Sequence, residues 1–407
     1  MEKIKAWGRA LWKDKNKEER RYVILYVATV LFSLLFISVG SRVATRGVPA
    51  FTAYASQLVV QATVTEVGEV TTEETVLGGQ VYTTTTTVFK AKITEGDYAG
   101  TVIEAVHLDD PFIPYYLRPV QKGDNVFLQY APETGSDVRW TLQEYRRTDG
   151  LLWMGLFVVA LILLFGRTKG IHTIISLSFT CLAIFTVFVP SILSGQNIYL
   201  STVIIGVYVI GINILLVIGP GQKGLCSAVS CLSGLAAVCA MSLIMDRVLS
   251  LTGLVEEDSI LLLYLNPDNP IDLRAVIFAA IVLGGLGAIM DVGISTSSSL
   301  YEVYTADPTM SWRSIWQSGM TIGRDVIGTM SNTLLLAYIG GSLSLVALLM
   351  AYNDSMIVLL NKELIVVEIL QALVGIAGLL LVIPLTSLVC AVIFTRKGED
   401  EQKGEIK

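Results

Sequence analysis

The sequence predicts an α-helical polytopic membrane protein of about eight transmembrane helices, with a small extracytoplasmic all-β domain (barrel or OB-like) between helices 1 and 2. Three observations lead there. The 407 residues are 53% hydrophobic and only 16% charged, with a mean hydropathy of +0.63, whereas soluble chains average about a quarter charged. The charges are bunched into short clusters between long uncharged runs, as the bilayer demands. One polar stretch of about a hundred residues, rich in Thr, Val and Gly, separates the first apolar run from the rest.

Taken in order, residues 1–21 are basic and suit an amphipathic cytoplasmic tail. Residues 22–40, "YVILYVATVLFSLLFISVG", are long enough to span. Small residues in "GVPAFTA" offer a signal-peptidase site. The apolar run is longer than a usual signal core, which favours an uncleaved anchor. Residues 41–148 form the β domain. "QLVVQATVTEV", "VYTTTTTVFKAKI", "TVIEAVHL" and "NVFLQYA" read as strands by β-branched content and alternation. "LGGQ", "EGDYAG" and "QKGDN" read as turns. The transmembrane domain occupies 149–395, with spans expected near 151–166, 173–193, 198–218, 225–248, 273–293, 326–349 and 364–394, followed by a cytoplasmic tail over 396–407.

Lys and Arg set the orientation. The N-terminal tail, "GRTKGIH", Lys223, Arg313, Arg324 and the C-terminal tail fall on one side of an eight-span chain. Arg247, Arg274 and Lys362 fall on the other. The balance predicts both termini in the cytoplasm and the β domain outside. The five cysteines, at 181, 226, 231, 239 and 390, all lie in apolar runs, so no disulfide framework is expected. No basic patch with interleaved aromatics points to nucleic acid. No Walker loop, dinucleotide-binding glycine pattern or GxSxG is present, so no enzyme activity is expected.

The chemistry concentrates late in the chain. From Asp291, residues Ser295, Ser298 and Glu302 stand four, seven and eleven positions on, each within about 40° of the Asp291 direction on a helix. A second stripe runs from Asp325 to Thr329 and Asn332, next to Arg324. Asp307 and Pro308 read as the N-cap and first residue of the second helix, and Trp312 and Trp316 as an interfacial pair. A hairpin of these helices would bring the stripes together. Such oxygen ligands suit a proton, Na⁺, Mg²⁺ or Mn²⁺ rather than zinc or copper. Ionisable residues at membrane depth mark ion and substrate paths. The competing role is structural, with Arg324 pairing Asp291 or Glu302. Asn213 and Glu368 are weaker additions to the path. Paired carboxylates on adjacent spans also occur in intramembrane aspartyl proteases, but the YD and GxGD signatures are missing.

At these residues the chain resembles the YibE/F family of bacterial multispanning membrane proteins. "GAIMDVGISTSSSLYEV" and "GRDVIGTMSNTLLLAYIGG" carry the resemblance, supported by "VQKGDNVFL" and "ITEGDYAGTVIEAVHL". The resemblance implies a multi-pass protein of the bacterial cell membrane, discussed as a transporter, in some cases beside a related shorter membrane partner. It supplies no catalytic residues and no cofactor. The expected function is a transporter or channel-like permease for a cation or an ion-coupled small solute. The alternative is a non-transporting scaffold or assembly factor whose outer β domain binds an envelope or protein partner. The expected partners are the lipid bilayer and either further copies of the chain or a related membrane protein.

Overall fold

The computed structural model describes residues 17–46, 58–77, 80–110, 118–130, 140–255, 257–264, 270–352 and 355–405. Most of the basic tail and the "GVPAFTA" segment lie outside these, as do the side chains of the C-terminal tail. The chain divides into two compact units, residues 49–164 and residues 1–48 with 165–407.

The first unit holds a closed five-stranded barrel, β1 (Val59–Leu77), β2 (Gln80–Ile93), β3 (Val102–Asp109), β4 (Asn125–Tyr130) and β5 (Trp140–Tyr145). The order around the barrel is β1-β2-β3-β5-β4. Strand β5 inserts between β3 and β4 and runs parallel to β3, while the other pairs are antiparallel. Alternation supplies the core: Val60, Ala62 and Val64 of β1 point inward, as do Phe89, Ala91 and Ile93 of β2, with Ala105, Val126, Leu128 and Tyr145. The Tyr145 hydroxyl donates to the Arg118 carbonyl at 2.8 Å, and the Arg118 guanidinium reaches Asp124 at 2.6 Å. These bonds fasten the "QKGDN" turn onto the last strand.

Strands β1 and β2 outrun the barrel. Their register shifts between Val64 and Glu66 and again between Val67 and Val70, where a Cβ on Gly68 would stand 2.9 Å from the Val88 carbonyl oxygen. Strand β3 stops opposite Thr85. Among the described residues, Glu73–Leu77 and Gln80–Thr84 pair only with each other, as a two-stranded ribbon carrying exposed Val76 and Val81. The threonine run is thus strand, part barrel and part ribbon.

Among the described residues, six helices are long and apolar enough to cross a membrane. The first is α1 (Lys17–Ala44), apolar from Arg21 onward. The second, α2 (Thr148–Ala183), continues through a π-turn into α3 (Val189–Leu193). Two predicted spans fall in this one run. It is broken at Arg167, whose backbone takes φ 50° and ψ −127°, leaving on each side a length that reaches across about 30 Å of hydrocarbon. Before the break the apolar side chains are exposed on every face, Leu151, Trp153 and Leu164 among them. In water such a surface would aggregate; lipid is its natural solvent.

The remaining four are α4 (Ile198–Asn213, then a π-turn), α5 (Gln222–Leu249), α7 (Leu273–Ala306) and α11 (Glu363–Glu405); the short α6 (Glu257–Tyr264) lies between α5 and α7. Helices α5, α7 and α11 pack against one another through small residues. A Cβ on Gly234 of α5 would meet Val382 of α11 and stand 2.7 Å from Ile289 of α7. Helix α7 runs unbroken through its "LGGLGA" segment. Helix α8 (Trp312–Gly341) lies mainly against α11, burying Ile315, Gly319 and Gly323. It ends at Ser342, where α9 (Leu343–Tyr352) begins, followed by α10 (Met356–Leu360). The predicted span 326–349 is therefore divided between α8 and α9 at "GGS", where the Ser342 backbone leaves the helix at φ −98° and ψ 8°. Polar side chains cap one set of helix ends: Asn197 accepts from the Leu200 amide, Asp272 from those of Arg274 and Ala275, and Glu363 from the Thr252 and Gly253 amides and the Thr252 hydroxyl.

Two predictions follow from packing. His107 is buried opposite Thr87, and its Nε2 has no partner among the described residues. Burial pushes its pKa below the ordinary value, against the smaller opposing pull of Asp109. Folding therefore favours the neutral ring. That contribution is complete above about pH 6.5 and is lost as pH falls through the lowered folded value. Residues 55–145 expressed alone should give a β-rich circular dichroism spectrum without oxidant, with a thermal midpoint that drops below pH 6.5. His107→Gln should flatten that drop, and a mainly helical spectrum would exclude the barrel.

The second concerns the bundle. Gly234→Leu overfills a contact already closed, a change that costs about 1–3 kcal/mol in packed cores, and should reduce the yield of monodisperse protein from membranes. Gly287→Ala has open space around its new methyl group and should leave the yield unchanged.

Candidate functional site

Helix α7 has two sharply different sides. Val292, Gly293, Thr296, Ser297 and Leu300 face the bundle and are buried. Asp291, Ser295 and Glu302 are exposed and Ser298 is half-buried, so the predicted stripe occupies one open face. Its length from Asp291 to Glu302 is about 16 Å at 1.5 Å per residue.

Helix α8 runs antiparallel to α7. Near one end a Cβ on Gly319 would lie 2.9 Å from Leu300, and near the other a Cβ on Gly284 would lie 2.7 Å from the Tyr338 hydroxyl. Between these anchors Asp291 stands level with Thr329, and Asp325 with Ser295, to within about one turn. Asp325, Thr329 and Asn332 are exposed, and so is Arg324 on another side of the helix. The hairpin thus places the two predicted stripes at one depth. It does not gather them at a point: among the described residues no three carboxylate, thiol or imidazole groups converge as for a metal ion. Nor does Arg324 form an ion pair there with Asp291, Glu302 or Asp325.

The turn between the helices differs from its predicted form. Ser311, not Asp307, caps α8, accepting from the Ser314 amide at 3.2 Å. Asp307 accepts instead from the Thr309 hydroxyl at 2.6 Å and the Thr309 amide at 3.1 Å. Those bonds hold its carboxyl below the usual range. An Asp-Pro-Thr turn competes with the cap for the same side chain, and the turn prevails. Trp312 and Trp316 are exposed at the start of α8, with the Arg313 guanidinium 5.8 Å from the Trp312 ring, which suits a membrane interface.

Other polar residues serve packing. Asn213 accepts from the Ser176 hydroxyl at 3.0 Å and donates to the Val209 carbonyl, so it joins helices and does not line the stripe. The sequence reading missed a buried hydroxyl seam behind the stripe. Ser227 and Ser297 share a hydrogen bond between α5 and α7 at 2.5 Å, with Ser230, Thr386 and Ser387 also fully buried and bonded to carbonyls of their own helices. In "STSSS" the middle residues face inward and the outer ones outward. The 100° step contains that split: it puts Ser295 and Ser298 on the stripe and turns Thr296 and Ser297 away from it.

Several helices of spanning length and a five-stranded barrel between the first two define a membrane protein with an inserted β domain. Residues 153–396 match the model of the family described as YibE/F-like protein. That match covers more than half of the chain, and the chain belongs to the YibE/F family. No curated protein and no solved structure matches it.

The absence of an ion pair at Arg324 yields a prediction. Arg324→Ala should leave the folded amount of protein in membranes unchanged by quantitative immunoblot and size-exclusion profile. A loss rescued by Asp291→Asn would restore the structural-pair role, because neutralising both members of a buried pair relieves the charge left behind.

Proposed function

We propose that this chain is a membrane transporter or channel-like permease for a cation or an ion-coupled small solute, with its path along the α7/α8 face. The observation that supports this most directly is the exposed strip of Asp291, Ser295, Ser298 and Glu302 at membrane depth, level with Asp325 and Thr329. A carboxylate facing hydrocarbon costs about 2.5–3.5 kcal/mol on insertion scales. The strip is relieved of that cost by water and a cation along the path, and by assembly with another copy or a related membrane protein over the open face. Asp291, Glu302 and Asp325 attract the cation or carry the proton, while the hydroxyls and Asn332 exchange with its water shell. Arg324 sits beside the path and sets its local field.

In this reading the protein lies in the bacterial cell membrane with eight spans. The Arg167 break separates spans two and three, and α8 with α9 forms the seventh. Both termini are cytoplasmic and the barrel is outside. The β1–β2 ribbon, an arm with exposed valines beyond the barrel, favours a second reading in which the barrel binds an envelope or protein partner and the chain acts as a scaffold.

Two experiments test these readings. Thiols introduced near residues 80 and 255 should be labelled by an impermeant reagent in intact cells, and thiols near 170 and 310 spared. Labelling near 310 from outside would reverse the orientation. In proteoliposomes screened with monovalent and divalent cations, Asp291→Asn and Asp325→Asn should each abolish ion-dependent flux without loss of folded protein. The double variant should be no worse than either single one, as for groups acting as one site. If both variants keep full function in cells while deletion of residues 41–148 removes it, the scaffold reading stands.

A further inference from the structure

Two turns along α7 from Asp291, a second carboxylate sits in a different setting. Glu368 of α11 is half-buried in the wall of a cavity of about 390 Å³ formed by α8, α9, α10 and α11. The other walls are nearly all apolar, with Leu335, Ile339, Val346, Met350 and Leu359 among them. Among the described residues, the other polar side chains on the cavity wall are Tyr338 and Ser342. Behind Tyr338, a Cβ on Gly284 would stand 2.7 Å from the Tyr338 hydroxyl and 2.8 Å from the Gln371 amide nitrogen, so the absence of a side chain there leaves room for both.

The volume falls within the range of small-molecule sites, about 300–1,000 Å³. The chemistry is selective. Among the described residues Glu368 makes no ion pair, and the cavity walls offer no cationic side chain. An anion would meet the carboxylate unscreened. A small hydrated cation would have to shed water against hydrocarbon, with a single carboxylate in return. A neutral lipid chain would fill the walls but leave the charge unmatched. A body that is apolar over most of its surface and carries one positive charge satisfies both, with Tyr338 offering its ring to the cation. Methionine in the wall adapts to varied apolar shapes.

We propose that the Glu368 cavity binds a lipophilic organic cation. Glu368 supplies the counter-charge, Tyr338 the aromatic face, and the ends of α8–α11 the apolar envelope. The site is distinct from the Asp291 strip, and its occupancy does not depend on that strip conducting.

Tritiated tetraphenylphosphonium and tetraphenylborate have the same shape and opposite charge, so they separate charge recognition from partitioning into detergent. The full-length protein in dodecyl maltoside should retain the phosphonium saturably and the borate only in proportion to detergent. Glu368→Gln should weaken phosphonium binding at least about tenfold, and Glu368→Asp by less. Leu335→Trp, which keeps the carboxylate and fills the cavity, should also weaken it. Asp291→Asn should leave it unchanged. Equal binding by wild type and Glu368→Gln at matched size-exclusion profiles would overturn the proposal, as would no saturable binding by wild type. If Glu368→Gln does not fold, Leu335→Trp decides: undiminished binding in that variant overturns the proposal.

Discussion

Lipid offers no hydrogen bonds and no hydrophobic force to hold helices together, so the bundle depends on how closely α5, α7 and α11 approach. Gly234 admits Val382 and Ile289, Gly378 admits Val238, and a Cβ on Gly293 would stand only 3.0 Å from the Cys231 sulfur. Within that contact the hydroxyls of Ser227 and Ser297 bond to each other, and Thr386 and Ser387 turn back on their own carbonyls. Every polar group there is small and locally satisfied apart from the Thr296 hydroxyl, which finds no partner among the described residues. The tight seam fixes which side of α7 faces inward. It thereby forces Asp291 and Glu302 outward.

Much of this was legible in the sequence, for definite reasons. The barrel followed from alternation, because Val60, Ala62 and Val64 can all be inward only on a strand of period two. The stripe on α7 followed from the helical step, and its residues do lie on one open face. What was not legible depended on contacts between distant segments. Nothing local announces that Ser297 meets Ser227 seventy residues away, or that Tyr338 comes to rest beside Gly284. The "GGS" interruption was visible as glycine, but a continuous apolar run around it read as one span. Asp307 illustrates local competition: two possible cap residues, Asp307 and Ser311, stand one helical turn apart in sequence, and the bond from Asp307 to Thr309 goes with the cap at Ser311.

The two carboxylate settings differ in what surrounds them. Asp291 belongs to a strip of hydroxyls and acids, so a charge there has several oxygen neighbours. Glu368 stands among apolar side chains with one phenol and the Ser342 hydroxyl. The first environment is rich in oxygen ligands and the second poor in them. Both lie along the second half of α8, which has its only fully buried residues at Ile315, Gly319 and Gly323 near its start.

Glu363 sets a limit on how this bundle moves. Its carboxylate grips two amides and a hydroxyl at the end of α5, while at the opposite ends of the same two helices Cys226 and Cys390 lie in one buried cluster with Leu300, Tyr304 and Phe394, whose ring stacks on Tyr304 at 5.0 Å. Two rods pinned at both ends cannot slide lengthwise. Helix α7 shares the second pin through Leu300 and Tyr304, so α5, α7 and α11 form one clamped frame, to which α8 is fastened near its start by Ile315, Gly319 and Gly323.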